Sequence, residues 1–449
     1  MSRHRLDRRP ITVPLVRSFP RLSGRLDVFR RLSWGVADQG VSSLSNLALG
    51  VIAARSLGAA GFGAFSLAFV TSAFLLTAVR GVATDPLLVR HSGPPTSAWR
   101  TAAAAATATA AVGGITAGTL CIVAALAFPA ELRGAFIALG VCLPGMLLQD
   151  SWRFVFFSMG RPAKAFVNDL VRGGVQLAGL CGLVATGRST VVTCVLVFGG
   201  SAAAAAAFGF VQSRVRPCAR SIRSWVLDTK DLGIRYLVEN LSSAGATQVT
   251  MLVLGAVAGL AAVGHTRGAQ ILMGPFLVIL MGASSVAIPE AAHVLRNGAQ
   301  RLQLFCIGLG AATAIAAASW GALILALLPT GLGDLLLGSI WKSASTLLLP
   351  VIITMFLAAF EVAALAGVRA LAAARRSLFA QLTSAGLNVT GGSIGAVIDG
   401  AWGSCWGVAL GTTLGAVVWW VQLRRALRDH TAEEAEFETS RVSDDRISR

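Results

Sequence analysis

Apolar residues follow one another in long runs along most of the chain, instead of alternating with polar ones. Twelve such runs lie between Trp34 and Leu423. A helix crosses the hydrocarbon core of a bilayer in about 20 apolar residues. Because lipid offers exposed backbone groups no hydrogen-bond partner, each run must be helical. The pattern predicts an all-α polytopic membrane protein with about 12 transmembrane helices.

The composition agrees with this pattern. Of the 449 residues, 55% are hydrophobic and only 13% are charged, whereas soluble domains carry about 25% charged residues. A soluble enzyme is therefore excluded. The predicted spans are 34–57, 62–89, 101–128, 134–159, 165–186, 190–212, 233–258, 268–290, 302–328, 343–368, 377–398 and 401–423.

The net charge of +17 is explained by topology. Residues 1–33 hold nine arginines, and the connections after even-numbered spans are basic, whereas each connection after an odd-numbered span holds at most one basic residue. This asymmetry is the positive-inside pattern and predicts that both termini are cytoplasmic. We therefore expect membrane lipids as partners, and no nucleic acid.

An internal repeat divides the chain into two halves. The segment that begins at Trp34 resembles the one that begins at Gly233, with Ser42 and Ser43 opposite Ser242 and Ser243. Two six-helix lobes that both start from the cytoplasm are related by a pseudo-two-fold axis normal to the membrane, an arrangement typical of transporters.

The repeat and the charge pattern together predict five regions. These are a basic cytoplasmic segment (1–33), an N-lobe (34–212), a basic cytoplasmic linker (213–232), a C-lobe (233–423) and a disordered cytoplasmic tail (424–449).

Several short motifs support a family resemblance. They are Trp34-Gly35, Asp38-Gln39, Asn46, the ARSLG of 54–58, the GFGAF of 61–65, Asp85-Pro86, Gly338, Trp341 and the LLP of 348–350. Over residues 34–425 the chain resembles the polysaccharide-lipid flippases, of the O-antigen and teichoic type, in the multidrug/oligosaccharidyl-lipid/polysaccharide exporter superfamily.

This resemblance implies a transporter that flips a polyprenyl-diphosphate-linked oligosaccharide to the external leaflet by alternating access, in cell-surface polysaccharide or lipopolysaccharide biosynthesis. We also expect a monomer in the plasma membrane that works beside polysaccharide polymerases or glycosyltransferases. The Ala- and Arg-rich composition, with only three lysines, indicates a bacterium with a GC-rich genome. Two alternatives stay open. One is a cation-coupled multidrug antiporter of the same superfamily, and the other is a non-transporting scaffold for glycan enzymes.

Polar residues inside the spans are the candidates for function, since they are costly there. For a diphosphate or the cavity that holds it, the candidates are Arg80, Arg153, Asn46 and Gln39. Arg80 has no acidic residue three or four positions away, so its guanidinium is suited to grip a diphosphate. The alternative for Arg80 is a salt bridge to Asp38. Asn46 and Gln39 occur more often as hydrogen-bond contacts between helices.

A second set of charged residues is suited to gating or ion coupling. It comprises Asp38, Glu239, Glu290 and Glu361. We expect arginines of the first lobe to pair with glutamates of the second when the cytoplasmic side closes. The alternative is that each charge is neutralised inside its own lobe, through helical pairs such as Asp150 with Arg153 or Asp169 with Arg172. Glu361 could instead couple a proton or Na⁺.

Enzymatic chemistry has little support. The chain has no GxxxxGK[ST] phosphate loop and no HExxH zinc motif, and its cysteines show no metal-ligand spacing. We therefore expect neither catalytic activity, nor a metal, nor a cofactor.

Overall fold

The computed structural model describes residues 22–93, 95–327 and 330–447, and these residues form helices and short turns with no strand. The helices are α1 (Leu22–Ala83), α2 (Asp85–Arg90), α3 (Ser97–Ala125), α4 (Ala130–Ser158), α5 (Pro162–Ala185), α6 (Val191–Ser213), α7 (Ile222–Leu272), α8 (Gly274–Leu295), α9 (Ala299–Leu327), α10 (Leu332–Leu337), α11 (Trp341–Thr346), α12 (Leu348–Ala370) and α13 (Ala374–Ile447). Two 3₁₀ turns, Ala219–Ser221 and Gly338–Ile340, join them.

Eight helices in the described part of the chain are long and apolar enough to cross a membrane. Three of these, α1, α7 and α13, contain a sharp kink at which the chain reverses direction. In α13 the reversal lies at Asp399 and Gly400, and it brings the backbones of Gly391 and Gly407 into contact. Each of these three kinked helices makes two passes, and α8 continues the second pass of α7. Six further helices make one pass each: α3, α4, α5, α6, α9 and α12. The described residues therefore make the twelve passes that the hydrophobic runs predict.

The reversals in α1 and α7 confirm the internal repeat. They lie at Gly58 (φ 66°) and Gly259 (φ 83°), which occupy equivalent places in the two halves. A positive φ is strained for any residue with a Cβ, so glycine permits the chain to turn within one residue. The protein therefore has two lobes, α1–α6 and α7–α13.

The turns between helices fall on two faces of the bundle. The basic face carries the arginine-rich connections, including the α4–α5 turn, the linker between α6 and α7, and the α12–α13 turn. The opposite face carries the three reversals. There, α10 and the turn Gly338–Ile340 lie against the first lobe, and the Arg55 guanidinium donates a hydrogen bond to the carbonyl of Leu335.

The lobes meet chiefly where the second arm of α1 lies along α7. Gly63 contacts the carbonyl of Leu260, and Gly81 contacts the backbone of Leu237 near the basic face. A Cβ on either glycine would collide with backbone, so both positions require glycine for this close approach.

Three predicted region boundaries differ from the structure. The linker is shorter than 213–232, because α7 already begins at Ile222. Residues 22–33 belong to α1, while the rest of the segment 1–33 lies outside the described residues. The tail 424–449, predicted to be disordered, continues α13 as far as Ile447. Extending an existing helix requires no new nucleation, and the tail is rich in helix-forming Ala, Glu and Arg.

Candidate functional site

A central cavity of about 340 Å³ lies between the lobes, bounded by both arms of α1 and by the junction of α7 and α8. Its polar lining residues are Gln39, Ser43, Asn46, Ser66, Arg267 and Gln270. Its aromatic wall is formed by Phe62, Phe65 and Phe69 of the second arm of α1.

Two of the predicted cavity residues line this space. Gln39 and Asn46 lie on the first arm of α1, and both contribute to the wall. The Gln39 amide donates to the Ser43 hydroxyl one helical turn away, at 3.3 Å. Amides and hydroxyls along one face of α1 give the cavity a side that can hydrogen-bond sugar hydroxyls or phosphate oxygens.

Arg267 carries the single charge among the described lining residues. Its guanidinium lies 5.0 Å from the centre of the Phe69 ring and donates to the Gln270 side-chain oxygen at 3.2 Å. A cation over an aromatic face is partly stabilised by the ring, but its charge is not neutralised. The cavity is therefore cationic.

The sequence analysis does not identify Arg267 as a cavity residue. The predicted spans 233–258 and 268–290 place it in an external connection. The reversal at Gly259 takes only one residue, so the next helical arm begins earlier than the apolar pattern indicates. The internal repeat could have identified this position. Gly259 is equivalent to Gly58, so the chain reverses at Gly259 and Arg267 lies inside the helical arm that follows.

Arg153 and Arg80 do not line the cavity. Arg153 lies among three carboxylates of its own lobe: its guanidinium is 2.6 Å from the Asp38 carboxylate, 3.2 Å from that of Asp169 and 4.0 Å from that of Asp150. The contact to Asp150 is the predicted helical pair. The predicted pair of Asp169 with Arg172 gives way to the contact of Asp169 with Arg153, because α1, α4 and α5 converge here.

Arg80 forms a two-point ion pair with Asp150, at 2.6 Å and 2.5 Å. The expectation that its salt-bridge partner is Asp38 is wrong, because Arg153 holds that carboxylate. Arg80 also lies over the ring of Phe154, 5.1 Å from its centre. Its hydrogen-bonding fork is thus occupied by a carboxylate of α4.

Arg172 is the third arginine in this group of charged residues of the first lobe. It donates to the Gln149 side-chain oxygen at 3.3 Å, and the Gln149 amide in turn donates to Asp169 at 2.8 Å. We call these six charged residues the N-lobe charge cluster: Asp38, Arg80, Asp150, Arg153, Asp169 and Arg172. With three carboxylates and three guanidiniums the cluster is neutral, and it connects both arms of α1 to α4 and α5.

Among the side chains that the structure describes, no arginine of the first lobe pairs with a glutamate of the second. Arg80 and Arg153 contact carboxylates of their own lobe, and Arg172 contacts Gln149 of that lobe, which is close to the alternative arrangement. Glu290 is exposed at the basic face, and the side chain of Glu239 lies outside the described set. Glu361 lies between α12 and α13, where it accepts a hydrogen bond from Ser384 at 2.7 Å. Of the predicted gating residues, the three with described side chains, Asp38, Glu290 and Glu361, are therefore not brought together.

No cluster of three or more His, Cys, Asp or Glu side chains suited to a metal ion occurs in the described part of the chain. The free cysteines there are dispersed, and five of the seven are buried.

Comparison with known proteins defines the fold. No protein-family model and no curated protein matches the chain. Solved structures match over most of its length. An inward-facing multidrug resistance MATE family transporter of the MOP superfamily is 14% identical, with a TM-score of 0.66 over 88% of this chain and 98% of that chain. The outward-facing conformation of a MATE family transporter is 16% identical, with a TM-score of 0.57 over 90% and 96%.

A third match is a MOP superfamily transporter from Pyrococcus furiosus Vc1, whose description refers to the reverse polarity of its binding pocket. It is 16% identical, with a TM-score of 0.55 over 90% of this chain and 95% of that chain. The chain thus has the two-lobe helical fold of MATE transporters. The expected fold is confirmed, and the first two of these matches are described as multidrug resistance transporters.

Proposed function

We propose that this protein is an alternating-access transporter whose central cavity takes an amphipathic anion of the lipid-linked diphosphate class. The observation that carries the proposal is Arg267, a cation in a cavity whose described lining holds no carboxylate. A guanidinium grips phosphate oxygens through two parallel hydrogen bonds, and this interaction strengthens where water is excluded.

The other lining residues fit such a substrate. The amides of Gln39 and Asn46 can hydrogen-bond sugar hydroxyls next to the diphosphate, and the phenylalanine wall offers apolar surface. The volume of about 340 Å³ lies at the lower end of ligand pockets, which range over about 300–1,000 Å³. It accommodates a diphosphate with an adjoining sugar, so the lipid tail and a longer glycan would extend outside it.

A cation-coupled multidrug antiporter is the second candidate, because two matching structures are described as multidrug resistance MATE family transporters. The carboxylate of Glu361 adds to its support, since a partly buried acid inside the membrane is suited to ion coupling. However, a cationic drug would meet Arg267 and no opposing carboxylate in the cavity. The charge of the described lining therefore favours the anionic substrate.

Transport in reconstituted vesicles can separate the two candidates. Purified protein would be tested with a fluorescent polyprenyl-diphosphate sugar and, separately, with a cationic dye. We expect the wild type to translocate the lipid, Arg267→Ala to lose at least about 90% of the rate, a factor of ten or about 1.4 kcal/mol, and Arg267→Lys to retain part of it.

Arg188→Ala is the matched control, because this arginine is exposed in the α5–α6 turn on the opposite face. Lipid translocation by Arg267→Ala at the wild-type rate would contradict the proposal. Transport of the dye without transport of the lipid would establish the antiporter instead.

A further inference from the structure

A small polar pocket in the C-lobe lies next to the central cavity and has no role in the function proposed so far. It has a volume of about 50 Å³ and is enclosed by both arms of α7, by α12 and by the second arm of α13. Gln270 lines this pocket as well as the central cavity, so its side chain stands between the two spaces. We call it the C-lobe side pocket. Its polar lining residues are Thr250, Thr266, Gln270, Thr354, Ser404 and Cys405.

The second arm of α7 connects the C-lobe side pocket with the cation of the central cavity. Residues three or four positions apart lie on one face of a helix, so Gln270 adjoins both Thr266 and Arg267. The Arg267 guanidinium donates to the Gln270 side-chain oxygen at 3.2 Å. A group held in the side pocket is therefore about one helical turn away from a phosphate held by Arg267.

The hydroxyl groups of the side pocket keep free hydrogen-bonding capacity. Ser404 is only 2% exposed, yet its hydroxyl has no hydrogen-bond partner among the described residues. The buried Thr266 hydroxyl is contacted by the Cys405 thiol at 3.9 Å. Thr250 and Thr354 donate to carbonyls of their own helices at 2.9 Å and 2.8 Å, which leaves their oxygens able to accept. Because buried polar groups without partners are costly, this lining favours a ligand that both donates and accepts.

The rest of the C-lobe side pocket is apolar, and none of its described lining residues is charged. The apolar part includes Met251, Leu254 and Met355. A cation that entered would lose its hydration without gaining a counter-charge, which is unfavourable. The side pocket is therefore suited to a neutral group with a donor, an acceptor and an apolar end.

The volume of the side pocket limits the size of this group. One water molecule needs about 10–15 Å³, so the pocket holds about four non-hydrogen atoms. An acetamido group has this size, and it combines an N–H donor, a carbonyl acceptor and a methyl group. In a 2-acetamido sugar it is attached next to the carbon that carries the diphosphate. It would thus lie at the required short distance from Arg267.

We propose that the C-lobe side pocket binds the 2-acetamido group of the sugar that is attached to the diphosphate, and so determines which lipid-linked sugars are taken. This inference rests on the proposed function, because it places the diphosphate on Arg267. The Ser404 hydroxyl donates to the acetamido oxygen, the Thr266 oxygen accepts from the acetamido N–H, and the methyl group lies among the apolar residues. When the diphosphate takes over Arg267, the Gln270 side chain is released and admits the acetamido group.

Native mass spectrometry of the full-length protein in detergent tests this proposal with two short-chain lipids, polyprenyl-diphosphate N-acetylglucosamine and polyprenyl-diphosphate glucose. The two probes differ only in an acetamido group against a hydroxyl. We expect the wild type to bind the acetamido lipid about tenfold more tightly, as two additional neutral hydrogen bonds permit. The double variant Thr266→Val, Ser404→Ala should bring the two affinities within about twofold of each other by weakening the acetamido lipid alone.

The matched control is Thr313→Val, Ser201→Ala, which removes the same two hydroxyls from buried positions of α9 and α6. It should keep the wild-type preference. Equal affinity of the wild type for both lipids would overturn the proposal, because the side pocket would then hold water only. A preference that survives in the double variant, or that is lost in the control, would also overturn it.

Arg267→Ala separates this inference from the proposed function. Both lipids should bind more weakly to this variant, since they share the diphosphate. Unchanged binding of both would refute the proposed function and the inference with it, whereas a common loss without any preference in the wild type would refute the inference alone. If the double variant does not fold, Ser404→Ala decides the matter. It should reduce the preference about threefold, and an unchanged preference would refute the role of Ser404.

Discussion

Arg153 and Arg267 are both arginines inside the membrane, yet their surroundings are opposite. Arg153 has carboxylates of Asp38 and Asp169 at 2.6 Å and 3.2 Å, and its side chain is 13% exposed. Arg267 has an aromatic ring and an amide oxygen as its neighbours. The first charge is neutralised by carboxylates, while the second has only an aromatic ring and an amide beside it, as the proposed anion site requires.

An arginine paired with carboxylates and an arginine without them have different consequences for the protein. Separating Arg153 from its carboxylates would leave charges stranded in a medium of low polarity, so the N-lobe charge cluster holds its helices in one arrangement. The contacts of Arg267 cost little to replace, and a diphosphate would provide a stronger partner than Gln270 does. We therefore assign stability to the first site and ligand binding to the second.

The largest effect should come from Arg153→Ala. It leaves Asp38 and Asp169 buried without their counter-charge, and breaking a buried pair costs about 3–5 kcal/mol. We expect a clearly lower thermal unfolding midpoint in detergent and less protein in the membrane.

Arg267→Ala is the matched variant for this measurement and should unfold near the wild-type temperature. If Arg267→Ala destabilises the protein as much as Arg153→Ala does, the two sites do not differ as proposed. Arg153→Lys keeps the charge and should show an intermediate loss.

A smaller effect is expected for Arg80→Ala. Asp150 loses its two-point partner but keeps Arg153 at 4.0 Å, so the cost should be about 1–3 kcal/mol of folding free energy. Thermal unfolding and lipid transport should be measured on the same preparation. A stable Arg80→Ala protein with no transport would instead support the diphosphate role predicted from the sequence.

Glu361→Gln should change stability by less than about 1 kcal/mol, because the amide oxygen can still accept the hydrogen bond from Ser384. If Glu361 couples an ion, the variant will lose transport driven by a pH or Na⁺ gradient while binding of the lipid diphosphate persists. Equal gradient-driven transport by variant and wild type would exclude the coupling role.

The last prediction establishes which side of the membrane the N-lobe charge cluster faces. Cys218 lies in the linker at the basic face, and a hydrogen bond from Ser221, aided by nearby backbone groups, lowers the pKa of its thiol. A charged maleimide that does not cross membranes should therefore label Cys218 near pH 7 in inside-out vesicles and leave it unlabelled in intact cells.

Ser221→Ala removes the hydrogen bond, raises the thiol pKa and should slow labelling at pH 7 by reducing the thiolate fraction. Cys218→Ser gives the background. Rapid labelling of Cys218 in intact cells would reverse the proposed orientation.

Much of the fold could be predicted from the hydrophobic runs alone, because each membrane-spanning helix must satisfy its own backbone. The repeat also placed Gln39 and Asn46 on a helix that lines the cavity. The partner of Arg80 could not be predicted, since Asp150 is 70 residues away and no local pattern links them. Arg267 was missed because a reversal at a single glycine leaves no polar loop in the sequence.

The tight reversals at Gly58, Gly259 and Gly400 also determine how the opposite face can be reached from outside. Turns this short present few residues to an antibody, a protease or an inserted epitope. The segment with α10 and α11 is longer, but it is in contact with Arg55 of the other lobe. A binder raised against that segment would grip both lobes at once and could hold the transporter in a single conformation.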